Sequence, residues 1–105
     1  MFDEVLDRPA HGARLVVRID PASGADGLYA VAVSTSDGVW QGRATVRAEG
    51  GAVELGAWES GEPASWLMAA LHALLRSAWQ RRKSGEPWPR RLARWRPAPA
   101  GAEDA

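Results

Sequence analysis

The sequence predicts an α+β domain: a four-stranded antiparallel sheet built from two tight hairpins, with one long C-terminal helix over one face. Three observations predict it. Four short stretches in the first half alternate apolar and polar residues. Two dipeptides that turn a chain sharply, Asp37-Gly38 and Gly50-Gly51, separate the last three of those stretches. A run after Pro63 then places leucines at helical spacing.

The first strand is expected over residues 13–20, where Leu15, Val17 and Ile19 alternate with Arg14, Val16 and Arg18. A loop rich in Pro, Ser and Gly follows over residues 21–27. The second strand, residues 28–36, puts Tyr29, Val31, Val33 and Thr35 on one face. The third, residues 39–48, puts Trp40, Gly42, Ala44, Val46 and Ala48 on one face. The fourth, residues 52–58, does the same with Val53, Leu55 and Ala57. Taking Asp37-Gly38 as a type I′ turn sets Thr35 opposite Trp40, Val31 opposite Ala44 and Tyr29 opposite Val46. Taking Gly50-Gly51 as the second turn sets Ala48 opposite Val53, Val46 opposite Leu55 and Ala44 opposite Ala57. Both hairpins bury the same residues of the third strand, so the two registers agree. On the opposite face Arg47 is expected to pair with Glu54.

Pro63 suits a first helical position, and Gly85 with Pro87 marks the end. Leu67, Leu71, Leu74 and Ala78 form the stripe that a sheet would bury. Met68, Leu75 and Trp79 form a second apolar strip beside it, more than one packed face requires. His72, Arg76, Gln80 and Lys83 form the polar stripe. A short Arg/Trp-rich segment follows, in which Trp88, Leu92 and Trp95 fall at i, i+4 and i+7, and Pro89 could open a short helix. A single domain is expected over residues 1–96 and a disordered tail over 97–105. Near the start, Phe2, Val5 and Leu6 could form one amphipathic turn.

The chain has 105 residues and no cysteine, which removes disulfides and thiolate metal sites. The acidic N-terminal stretch has no apolar signal-like region, and no apolar run reaches membrane-spanning length, so a soluble, cytoplasmic protein is expected. Net charge is zero but unevenly distributed: residues 1–75 balance to −5, residues 76–96 to +7 and the last nine to −2. Such polarity can steer an anionic partner to one end, or join two parts of one fold.

No catalytic constellation is visible. His11 and His72 have no acidic or histidine neighbour at ligand spacing. Glu59 and Glu62 flank the expected helix start, where carboxylates complement the helix dipole. No phosphate-binding loop, dinucleotide fingerprint or nucleophile elbow occurs. The expectation is a non-enzymatic protein without metal, cofactor or membrane partner. The residues that point to function are apolar and basic. Met68, Leu75, Trp79, Trp88, Leu92 and Trp95 are the candidate interface of a self-associating protein, expected as a homodimer. The alternative is a single-stranded nucleic-acid binder. It would use Arg90, Arg91, Arg94 and Arg96, with Arg14, Arg18, Arg43 and Arg47 on the outer sheet face, through charge neutralisation and stacking. A third reading, an active site shared across a dimer, could draw on His72 and Glu62.

Overall fold

The computed structural model describes residues 9–99. Strand β1 (Ala13–Ile19), β2 (Gly27–Thr35), β3 (Gly38–Val46) and β4 (Val53–Trp58) precede helix α1 (Ser65–Lys83), and a fifth strand, β5 (Arg91–Arg96), follows it. All neighbours pair antiparallel in the order β4-β3-β2-β1-β5. The α+β class and the single covering helix stand; the sheet has five strands, not four. The amphipathic turn expected at Phe2, Val5 and Leu6, and most of the expected tail, lie outside the described residues.

Helix α1 lies on the face formed by Leu15, Val17, Val31, Val33 and Val46, and buries Leu67, Leu71, Leu74, Leu75 and Ala78 against them. It starts at Ser65 after Ala64, two residues later than Pro63 suggested, without a side-chain cap. Glu59 and Glu62 therefore precede its first turn. Its last turn carries Arg81, Arg82 and Lys83, which complement the negative end of the dipole. The end is a Schellman motif. Gly85 N–H donates to Arg82 O, Glu86 N–H donates to Arg81 O, and Gly85 takes φ +101°.

Both hairpins keep the expected faces but slide by two residues. Ser36 and Asp37, not Asp37 and Gly38, form the first turn, so Val33 faces Trp40 and Val31 faces Gly42. Neither turn residue has positive φ, and the Asp37 N–H is held by Thr35 Oγ1 at 3.1 Å. The second turn spans residues 48–51, and Val46 faces Val53. Here Asp26 Oδ1 accepts the Ala48 N–H at 2.8 Å, which draws Ala48 out of the strand and leaves it exposed. A side chain faces the same way after a two-residue slide, which is why alternation alone could not choose between these registers. A bulge between Gly42 and Ala44 then inserts one residue into β4. It turns Ala57 outward and brings Trp58, not Ala57, onto the core side opposite Gly42.

The segment expected to be helical around Trp88, Leu92 and Trp95 is extended. The Tyr29 hydroxyl donates to Pro89 O at 2.8 Å, and Trp88 Nε1 donates to Ala25 O at 3.1 Å. These contacts deliver Arg90 to Ile19, whose N–H donates to Arg90 O at 2.8 Å, and β5 zips along β1 from there. Leu92 faces Val17 and packs on the core.

Four tryptophans stand where a glycine leaves room. A Cβ at Gly42 would lie 2.7 Å from the Trp58 ring, one at Gly12 2.6 Å from Trp95, and one at Gly27 3.0 Å from Trp88. At Gly51 it would collide with Trp79. Each ring thus fills a glycine-sized gap in the sheet or its turns.

Candidate nucleic-acid interface

The structure takes most of the expected apolar interface into the fold. Leu75 is wholly buried. Trp79 covers Gly51, donates Nε1–H to Ala48 O at 3.0 Å, and carries the Arg76 and Lys83 cations 4.9 and 5.1 Å from its ring. Arg76 also reaches the carbonyls of Gly50 and Gly51. Trp88 meets Tyr29 edge-on, and Met68, Trp88 and Leu92 are half-buried. Of the six, Trp95 alone is exposed, at 48 %.

Trp95 lies on edge strand β5 opposite Arg14 of β1. Its ring is fixed at two points: it sits on Gly12, and its Nε1 donates to His11 O at 3.3 Å. The His11 ring meets it edge-on, with centroids 6.3 Å apart. A half-exposed indole held this way has little freedom left to lose when another ring stacks on it.

Arginines flank Trp95 along β5 and leave its two faces by alternation. Arg94 faces Leu15 and Arg96 faces Ala13 on the helix side, while Arg91 faces Arg18 on the outer side. The Ile19–Arg90 bond fixes the ladder phase, so the main-chain groups of Leu92, Arg94 and Arg96 point inward and those of Arg91, Ala93 and Trp95 point outward. Guanidinium groups therefore leave both faces of one strand. Arg90 precedes the strand, and Arg81, Arg82 and Lys83 close α1.

The outer sheet face divides in two. Around Val16, Ala32 and Ser34 it is closed, with all three excluded from solvent. Toward the start of β2 it opens into a cleft of about 670 Å³, lined by residues that include Arg18, Asp20, Ala30, Gln41, Arg43 and Glu59. Arg18, Ala30 and Arg43 stand in register across β1, β2 and β3. Arg43 is 77 % exposed and only 3.9 Å from Asp20. Trp58 Nε1 is buried without a hydrogen-bond partner.

The fourth outer-face arginine has a structural task. Arg47 pairs with Glu54 at 2.9 Å, as expected, and also with Asp26 at 3.1 Å. The Ala48 N–H and Arg47 hold the Asp26 carboxyl below its usual range, and Glu54 with Asp26 raises Arg47. Arg47 thus ties the second hairpin to the loop before β2.

His11 serves the site only by holding Trp95, and His72 lies outside it. Both are exposed, and among the described residues no group of three or more His, Cys, Asp or Glu could hold a metal. No described helix is long and apolar enough to cross a membrane. Comparison with protein-family models, with curated proteins and with solved structures found no match to this chain.

Proposed function

We propose that this protein is a non-enzymatic module that binds single-stranded nucleic acid along the β1–β5 edge. The observation that carries the reading is Trp95: a large ring, half exposed and fixed by Gly12 and His11, on a strand with arginine on both faces. Stacking on such a ring tolerates any base, and guanidinium groups beside it neutralise the phosphates that follow. Arg94 and Arg96 supply charge on the helix side, and Arg14 supplies it beside the ring.

Self-association through the helix strip would need Leu75 and Trp79 at the surface. The single chain uses the first in its core and the second to cover Gly51. The nucleic-acid reading draws on Trp95 and Arg96, which are exposed, and on Arg14 and Arg94, which are half-buried.

The test is fluorescence anisotropy of short labelled single- and double-stranded DNA and RNA, at low and near-physiological salt. Single strands should bind best, with affinity falling steeply as salt rises. Trp95→Ala should weaken binding about tenfold, the value of one base–aromatic stack, while leaving the circular dichroism spectrum unchanged. No binding at low salt, or a Trp95→Ala variant that binds as well as the parent, would remove the reading.

A further inference from the structure

We infer that the outer-face cleft is a base-selective pocket for the same strand, one that accepts cytosine and adenine and disfavours thymine and uracil. This rests on the single-strand reading above but makes a separate claim, about sequence preference.

The cleft has the shape for a flat ring. Its floor at Ala30 carries only a methyl group, and Arg18 and Arg43 stand on either side in register on the neighbouring strands. Guanidinium planes beside a small residue leave a slot in which a base can stack. At about 670 Å³ the cleft has the size of a small-molecule site. It also lies within reach of the proposed edge. Trp95 is opposite Arg14, and Arg18 is four residues further along β1, about 13 Å away at the rise of a strand.

The selectivity comes from the walls. Asp20 and Glu59 bring carboxylate chemistry to the cleft, and Gln41 brings an amide. A carboxylate accepts hydrogen bonds and donates none at neutral pH. It therefore pairs with the amino group of cytosine or adenine and repels the carbonyl that thymine and uracil present at the corresponding position. Asp20 is well placed for this. Its Oδ1 is fixed by the Ala22 N–H at 2.8 Å, while Oδ2 is 3.9 Å from Arg43, a loose contact that a ligand can enter.

The experiment compares labelled oligo-dC, oligo-dA and oligo-dT on the full chain by anisotropy, for the parent, Asp20→Asn and Trp95→Ala. The parent should bind oligo-dC and oligo-dA about tenfold more tightly than oligo-dT. Asp20→Asn keeps an oxygen for the Ala22 N–H, so the loop should survive, and thermal melting checks that it does. This variant should lose the preference by binding oligo-dT better. Trp95→Ala should weaken all three by a similar factor and keep their ratio. Equal binding of the three by the parent, or a preference that Asp20→Asn leaves intact, overturns the pocket while the edge reading stands. Absence of binding to all three overturns both.

Discussion

Trp79 occupies the space in which any side chain at Gly51 would stand. The contact joins the β3–β4 hairpin to the C-terminal half of α1, far apart in sequence. Gly51 also has φ +73°, so a side chain there meets two obstacles, the ring and the backbone conformation.

Gly51→Ala should accordingly destabilise the protein by about 2–4 kcal/mol, from the left-handed conformation together with displacement of a packed ring. Urea unfolding followed by Trp fluorescence measures it. A midpoint equal to that of the parent would mean that the hairpin and helix are not locked at this contact.

Leu75 gives the sharpest test of where the helix's second apolar strip belongs. It is 0 % exposed in the single chain. Leu75→Ala should cost about 2–5 kcal/mol, as cavity-forming changes in a core do, with no change in sedimentation coefficient. Were the strip an interface between two copies, the same change would leave each copy folded and split a dimer instead.

Tyr29 should titrate late. It is 2 % exposed, its hydroxyl donates to Pro89 O, and burial pushes its pKa from 10.0 up to about 12. The neutral form is the one the fold favours. The stability it contributes is complete below pH 10 and is lost as pH rises to about 12, at roughly 1.4 kcal/mol per unit. As the chain has one tyrosine, ultraviolet difference absorbance reads this group alone. A midpoint near 10 in the folded protein would place the hydroxyl in water. Tyr29→Phe should remove this alkaline loss and cost about 1–2 kcal/mol at neutral pH, since Pro89 O would lose its donor.

How far the sequence carried can be seen at these same residues. Tyr29, Val31 and Val33 alternate cleanly, and Leu67, Leu71 and Leu74 recur at helical spacing, so the faces that make the core were legible. Strand partners were not, because a two-residue slide leaves every face unchanged and only the hydrogen bonds at Thr35 and Asp26 select the register. β5 was hidden for a different reason. In Arg-Leu-Ala-Arg-Trp-Arg only Leu92 packs on the core, and Trp88, Leu92 and Trp95 fit a helical period by coincidence. What makes this a strand is tertiary: β1 would otherwise be an edge, and Tyr29 and Trp88 anchor the approach. The arginines of the candidate site were visible in sequence. Their arrangement around Trp95 depends on that unforeseen strand, and the cleft depends on the alignment of Arg18, Ala30 and Arg43, which no local pattern encodes.

Two glycines that look alike in sequence should respond differently to the same change. Gly85 closes the Schellman motif at φ +101°, with open space where a Cβ would stand. Gly24 lies in the loop before β2, also with open space but without a positive φ. Sterics with neighbours therefore contribute to neither substitution, and backbone conformation alone separates them. Gly85→Ala should cost about 1–2 kcal/mol, because an L-residue is strained in the left-handed region. Gly24→Ala should leave stability level or raise it by about 0.5 kcal/mol, by restricting the unfolded chain. Thermal or urea unfolding of the two variants side by side measures the difference. Equal effects would mean that α1 does not end in the left-handed turn, and the path of the chain from Gly85 to Trp88, on which the placement of β5 depends, would have to be redrawn.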